Sequence, residues 1–149
     1  MKPLIVGEAP SKNQSPEQPI EGRIGLRLAV CAGMTLPEFL TFFERVNLLH
    51  VRQDTAAHGF QFDEQAAALE AEKFRATFTS ERIIILLGQR VAKAFGITPT
   101  DCYFVQHSIG AADVRVLPHP SGINRWWNSK ENLDHATLFM QNIVRRVRG

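Results

Sequence analysis

The segment Ile83–Leu87 constrains the fold more than any other part of the sequence. It is an unbroken aliphatic run, Ile-Ile-Ile-Leu-Leu, that ends at Gly88. A short continuous apolar run rich in β-branched residues is typical of a strand that is buried on both faces. Strands of this kind occur in parallel sheets whose two faces are covered by helices. The run therefore predicts an α/β protein with Ile83–Leu87 inside its sheet.

The rest of the chain alternates between strand and helix patterns. Further strands are predicted at residues 4–6, 45–49, about 103–106 and 114–117, and residues 52–62 are predicted to form a loop. Helical periodicity is present at 26–32, 35–43, 63–78, 89–95 and from about 129 onward. This order predicts a three-layer α/β/α sandwich around a central, mainly parallel four-stranded sheet.

Two helix starts carry the pattern of a capping box. In this pattern an N-terminal polar side chain and an acidic side chain three residues later each accept a hydrogen bond from the other's backbone N–H. Thr35 with Glu38, and Asn128 with Glu131, have this spacing. His107 and Asp113 flank a glycine-containing segment, where polar residues are common for reasons of turn geometry alone.

Length and composition indicate an ordinary globular domain, and we expect residues 1–149 to form a single one. The net charge of +2 permits nucleic acid as a partner without requiring it. Cys31 and Cys102 are too few for a disulfide framework or a four-thiolate metal site, so we expect both to be buried in a protein of a reduced, cytoplasmic compartment. No signal peptide or membrane-spanning segment is expected, because the apolar runs are too short.

A loop rich in functional groups follows the strand predicted at 114–117. Residues 119–127 read His-Pro-Ser-Gly-Ile-Asn-Arg-Trp-Trp. Open α/β sheets bind ligands at the carboxyl ends of their strands, and this loop begins at such an end. The other strand ends bring Glu8, Asn47 and Gln89 to the same edge. A structural hydrogen bond remains the alternative for Asn47, and a helix or loop cap for Glu8.

Several motifs together resemble the uracil-DNA glycosylase superfamily. Residues 7–11, Gly-Glu-Ala-Pro-Ser, look like the Gly-Glu-Ala-Pro-Gly motif of the thermophile-type, family-four enzymes, and residues 19–25, Pro-Ile-Glu-Gly-Arg-Ile-Gly, are similar to their Pro-Phe-Val-Gly-Arg-Ala-Gly segment. Residues 46–50, Val-Asn-Leu-Leu-His, resemble their Thr-Asn-Val-Val-Lys strand. Residues 119–121, His-Pro-Ser, resemble the last motif of the superfamily, and residues 122–125, Gly-Ile-Asn-Arg, look like the Gly-Leu-Ser-Arg extension of the mismatch-specific enzymes. These matches run through nearly the whole chain in the right order.

The resemblance implies a DNA glycosylase that flips uracil or a related altered base out of the duplex during base excision repair. His119 would stabilise charge on the departing base, Asn47 would bind its Watson–Crick edge, and Glu8 would lie by the sugar and the attacking water. These three residues are the expected catalytic set. The expected base pocket consists of Gly7, Ala9, Pro10, Ile20 and Asn47.

The resemblance also implies contacts to the DNA backbone and to the disrupted duplex. Ser121 would bind a flanking phosphate, and Ile123 would fill the space left by the flipped base. Of the two adjacent indoles, one is expected to pack under the last helix and one to reach DNA or the base pocket. The expected DNA-binding residues are Ser11, Gln89, Ser121, Gly122, Ile123, Arg125 and Trp126.

Two departures from the family-four pattern leave alternatives open. No iron–sulfur cluster and no other metal or cofactor is expected, because Val51 stands where a ligand cysteine would fall and no N-terminal cysteine pair exists. Ile20 replaces the phenylalanine that stacks on uracil, and Ala9 leaves no water-activating Asp or Asn, as in family four. The alternatives to a monomeric glycosylase are a catalytically silent relative that binds DNA or a protein partner, and an enzyme acting on free nucleosides or nucleotides.

Overall fold

The computed structural model describes residues 1–10, 19–50, 53–55, 59–98, 100, 102–121 and 124–149. The strands are β1 (Leu4–Gly7), β2 (Glu44–Asn47), β3 (Gln53–Thr55), β4 (Gly59–Gln61), β5 (Ile83–Leu87), β6 (His107–Ile109) and β7 (Ala112–Leu117). The helices are α1 (Gly22–Ala32), α2 (Leu36–Phe42), α3 (Glu64–Arg75), α4 (Gln89–Ala94) and α5 (Lys130–Arg148), and a 3-10 helix covers Arg125–Asn128.

The central sheet has five strands in the order β2-β1-β5-β7-β6. The first four are parallel, and β6 joins the edge antiparallel to β7. The expectation of a mainly parallel α/β sheet is confirmed. The expected number of four strands was wrong, because β6 adds a fifth strand at the edge. The segment Ile83–Leu87 lies between β1 and β7, and every residue of it is buried.

Helices cover both faces of the sheet and complete the three layers. Along β5, Ile83, Ile85 and Leu87 pack against residues of α1, α2 and α5. Ile84 and Leu86 point the other way, into a second core formed with α3 and α4. Burying each such side chain contributes about 1.5–3 kcal/mol to folding. An apolar run without polar alternation is therefore required, since neither face of β5 meets solvent.

Two local expectations about strands were wrong. Residues 103–106 do not form a strand: Tyr103 makes an isolated bridge to Val116, and the strand begins only at His107. Residues 52–62 contain the antiparallel pair β3 and β4, which was expected to be plain loop. Both strands are only three residues long. Segments of this length carry too little alternation to be distinguished from loop by pattern.

The two predicted capping boxes have different outcomes. At α2, the Glu38 N–H donates to Thr35 Oγ1 at 3.3 Å and the Thr35 N–H donates to Glu38 Oε1 at 3.2 Å, which confirms the box. At α5 the cap is Ser129, whose hydroxyl accepts from the Asn132 N–H at 3.4 Å. The box expected for Asn128 was therefore wrong by one residue, because Asn128 ends the preceding 3-10 helix.

Asp113 lies within β7 rather than in a turn, and it is buried. Its carboxylate accepts hydrogen bonds from Arg115 Nε at 3.1 Å and from Arg146 of α5 at 2.8 Å. Burial raises the pKa of Asp113, but the two guanidinium groups outweigh it and hold the pKa below its usual value. The buried carboxylate thereby joins β7 to the last helix.

In the part of the chain that the structure describes, no single helix has the length and apolar character needed to cross a membrane. Helices α1 and α2 reach that composition only as a pair, and they are bent by 86° relative to each other.

Candidate active site

The carboxyl ends of β1, β2, β5 and β7 form one edge of the sheet, as the parallel arrangement requires. Gly7 at the end of β1 is in register with Asn47 at the end of β2. Leu87 at the end of β5 is in register with Leu117 at the end of β7, and the Gly88 N–H donates to the Leu117 carbonyl at 2.8 Å. The residue after β1 and the loop after β7 are thus brought to opposite sides of Gly88.

Glu8 and His119 meet at this edge. Glu8 Oε1 lies 3.7 Å from His119 Nε2, and the two side chains are 12% and 24% exposed. Arg90, in the first turn of α4, approaches the other carboxylate oxygen of Glu8 at 3.4 Å. Burial lowers the pKa of His119; Glu8 opposes this effect and Arg90 adds to it. The imidazole is therefore uncharged near neutral pH, and it faces a carboxylate in a half-buried position.

Asn47 lies against Gly7 and is 8% exposed. A β-carbon added at Gly7 would come within 2.7 Å of Asn47 Oδ1 and 3.3 Å of Ile20 Cγ1. The absence of a side chain at Gly7 is therefore what lets the Asn47 carboxamide and Ile20 lie across the end of β1. Ile20 itself is buried in the core layer formed with α1, α2 and α5, and its φ of +58° is unusual for a β-branched residue.

Gly88 separates β5 from α4 and allows His119 to approach. Its φ of 91° and ψ of 166° fall in a region that is essentially restricted to glycine. A β-carbon there would lie 3.1 Å from His119 Cβ and 3.7 Å from Glu8 Oε1. The structure thus places Gly88 against both members of the histidine–carboxylate pair.

The loop after β7 is fixed by hydrogen bonds to its own backbone. The carbonyl oxygen of His119 accepts from Asn124 Nδ2 at 2.9 Å and from Trp127 Nε1 at 2.9 Å. Arg27 of α1 donates to the Ser121 carbonyl at 3.4 Å, and its guanidinium lies over the Trp127 ring at 5.4 Å. These contacts attach the loop to the 3-10 helix and to α1.

The two indoles differ in burial. Trp127 is 3% exposed and packs in the core layer that contains α5. Trp126 is half-buried, and its ring centroid lies 5.8 Å from that of Phe104. The rings of Trp126 and Trp127 are inclined by 77°. A contact of either indole with DNA remains a prediction.

The other predicted site residues lie at the same edge with different exposure. Ala9 is half-buried and Pro10 is buried, directly after Glu8. Gln89 and Arg125 are exposed, and Ser121 is half-buried. Ser11, Gly122 and Ile123 lie outside the described residues. In the described ranges, no group of His, Cys, Asp and Glu side chains could hold a metal ion. Cys31 and Cys102 are buried, as expected, in opposite core layers.

Three contributions to this site were missed by the sequence reasoning. Arg90 contacts Glu8, and Asn124 and Trp127 contact the His119 carbonyl. Burial raises the pKa of Tyr103, with a further increase from Cys102 and a smaller opposing effect of Gln89. Of these residues, only Arg90 could have been assigned to the site from the sequence, because it follows the predicted strand end at Gly88 by two residues.

A mainly parallel sheet between helical layers, with polar residues collected at its carboxyl edge, defines an α/β protein of the class that generally binds ligands at this edge. A family model described as the Uracil DNA glycosylase superfamily matches residues 1–143, and the chain therefore belongs to this superfamily. Membership supports a glycosylase-like function with DNA as the partner in general terms. A search of curated proteins found no match.

Proposed function

We propose that this protein is a DNA glycosylase that hydrolyses the N-glycosidic bond of uracil, or of a related altered base, flipped out of DNA for base excision repair. The observation that carries the proposal is the approach of Glu8 Oε1 to His119 Nε2 at 3.7 Å on the carboxyl edge of the sheet. A half-buried carboxylate beside a half-buried neutral imidazole matches the two charges that this reaction creates.

His119 acts on the leaving base. When the bond between C1′ and the base nitrogen breaks, its electron pair goes to the base, which becomes an anion. A neutral imidazole retains one N–H donor, and His119 donates it to the base oxygen where this charge develops. Preorganised donors of this kind typically accelerate reactions by about 10²–10³-fold. Burial of His119 strengthens the effect, because less water competes for the same oxygen.

Glu8 acts on the sugar and the water. The sugar becomes cationic at C1′ as the base departs, and a nearby carboxylate stabilises this charge. The oxygen of a water molecule then forms the new bond to C1′, and Glu8 accepts the proton that the water loses. Arg90, at 3.4 Å from Glu8, orients the carboxylate from the side opposite His119.

Asn47 and the glycine beside it form the base-binding part of the pocket. A carboxamide both donates and accepts, which suits the mixed donor and acceptor edge of a pyrimidine. Ala9, Pro10 and Ile20 complete the apolar wall. Ser121 and the following residues bind the phosphates next to the flipped nucleotide, which offsets the few kcal/mol that unstacking costs.

The test is a panel of oligonucleotides containing uracil, a T·G mismatch, hypoxanthine or hydroxymethyluracil, in single and double strands. Abasic products are cleaved with alkali and resolved by length. We expect scission with at least the uracil substrates, and a loss of about 100-fold in His119→Ala. The folded wild-type protein giving no scission on any substrate would refute the proposal.

Ile20 favours a second candidate, a catalytically silent member of the superfamily that binds DNA or a protein partner. Its side chain is buried against Gly7 and is aliphatic, so it provides no aromatic face for a base. Stacking of a base on an aromatic ring contributes about 1–3 kcal/mol. A silent member retains DNA affinity in His119→Ala and has no turnover. A rate loss of about tenfold or more in that variant excludes it.

A further inference from the structure

The backbone carbonyl of His119 is held by two side chains from the segment that follows it. Asn124 Nδ2 and Trp127 Nε1 both donate to this oxygen at 2.9 Å. The two donors approach from residues that are five and eight positions later in the chain. A carbonyl oxygen has two lone pairs, so these two donors fill its capacity to accept hydrogen bonds.

Both donors are themselves fixed. Asn124 caps the 3-10 helix through its Oδ1, which accepts from the Trp126 N–H at 3.1 Å. Trp127 is 3% exposed, and the Arg27 guanidinium lies 5.4 Å above its ring. Both hydrogen bonds to His119 therefore come from side chains that have further contacts of their own.

The peptide that carries this carbonyl also sets the direction in which the His119 side chain leaves the backbone. Pro120 follows His119 and restricts it to extended backbone conformations, but this restriction leaves a range of ψ values. Fixing the carbonyl oxygen selects one value, and with it the direction of the Cα–Cβ bond from which the imidazole reaches Glu8. A displacement of about 1 Å at such a site can reduce rates about 100-fold.

We propose that Asn124 and Trp127 are positioning residues that hold the His119 imidazole beside Glu8 through the His119 carbonyl. The catalytic part of this inference rests on the proposed glycosylase function. The structural part, the fixed orientation of the imidazole, does not depend on it.

Two substitutions remove the donors and keep part of each side chain. Trp127→Phe removes the indole N–H and retains an aromatic ring in the core. Asn124→Asp removes the amide donor and retains the oxygen that caps the 3-10 helix. Asn132→Ala is the matched control, because Asn132 Nδ2 donates to the Trp126 carbonyl at 2.9 Å in the same segment without contacting His119.

Kinetics provide the first measurement. We expect kcat for uracil release to fall about fivefold to tenfold in Trp127→Phe and in Asn124→Asp, the effect of one lost hydrogen bond, with KM changed less than about twofold. Asn132→Ala should lose similar stability and retain its kcat. Equal kcat losses in all three variants would overturn the proposal, since they would indicate a general loosening of the loop.

The NMR signals of the His119 imidazole provide a measurement independent of activity. Release of the ring increases its contact with solvent, so the pKa of His119 should rise toward its ordinary value in Trp127→Phe and stay unchanged in Asn132→Ala. The carboxylate of Asn124→Asp raises this pKa by itself, so in that variant the rise must persist at high salt, which screens the new charge. This result in a protein without glycosylase activity would support the positioning role while refuting the proposed function. An unchanged His119 pKa and chemical shift in Asn124→Asp would overturn the proposal even if Trp127→Phe does not fold.

Discussion

Replacing Gly88 by alanine should destabilise the protein and displace His119 at the same time. Gly88 has a φ of 91° and a ψ of 166°, a backbone conformation that is essentially closed to residues with a side chain. The added methyl group would also stand 3.1 Å from His119 Cβ. One substitution therefore introduces backbone strain and steric crowding at the centre of the candidate site.

The expected size follows from these two effects. Holding a residue in a sparsely populated backbone region costs about 1–3 kcal/mol. Forcing an extra carbon into a packed site costs about 1–3 kcal/mol more, unless the neighbours move. Because some relaxation relieves both effects, we expect the free energy of unfolding to fall by about 2–5 kcal/mol. If His119 moves to accommodate the methyl group, the loss of stability will be smaller and the loss of activity larger.

Gly33 offers a matched control. It ends α1 in the left-handed region with a φ of 71°, and a β-carbon there would meet only the Gln141 side chain at 3.6 Å. Gly33→Ala should therefore show the backbone cost alone, about 1–2 kcal/mol.

The assay is urea unfolding followed by far-UV circular dichroism, together with the rate of uracil release for each folded variant. If the added methyl group crowds His119, Gly88→Ala should lose more stability than Gly33→Ala, or should lose activity that Gly33→Ala keeps. If the two variants are alike in both measurements, the crowding against His119 has no energetic consequence and the argument is refuted.

Three further results are expected. The pKa of His119 should lie below about 6.5 in an NMR titration, and a value at or above 6.5 would contradict this. The free energy of unfolding should therefore decline as the pH falls from about 6.5 to the folded-state pKa, because in that range only the unfolded chain gains the proton. Arg90→Gln should raise the pKa of His119. Asp113→Asn should cost about 2–3 kcal/mol in urea unfolding at pH 7. Because the pKa of Asp113 is lowered on folding, the stabilisation by its carboxylate is present above the unfolded-state pKa of 3.8 and is lost as the pH falls through the folded-state pKa. The difference in stability between Asp113→Asn and the wild type should therefore shrink near pH 3. A difference that does not change with pH would contradict this prediction. Thr35→Ala should cost about 1 kcal/mol in the same unfolding experiment, and no loss would show that the cap of α2 contributes nothing.

The sequence was most informative where a residue's environment follows from chain order alone. Ile83–Leu87 predicted a strand with two buried faces, and parallel strands necessarily end at one edge. Glu8, Asn47 and His119 could therefore be placed together before any distance was known. The capping box of Thr35 was predictable for the same reason, because all of its partners lie within three residues.

Long-range partners were not predictable in the same way. Asp113 looked like a turn residue because a carboxylate is rare inside a strand, and its neutralising partner Arg146 is 33 positions away in the sequence. The edge strand at His107 was missed because none of its three residues is fully buried and they carry no apolar pattern. Arg90 lies near Glu8 only because the register of β1 and β5 brings their ends side by side.

The position of the two tryptophans gives the protein a built-in optical probe. The chain contains only two, Trp126 and Trp127, and both lie in the 3-10 helix that holds the carbonyl of His119. Intrinsic fluorescence therefore reports the state of this one loop rather than that of the whole molecule. Half-buried Trp126 should respond to a DNA strand laid across the edge, and buried Trp127 to release of its indole N–H. If the loop opens before the sheet unfolds, the unfolding transition followed by tryptophan fluorescence should precede the transition followed by circular dichroism.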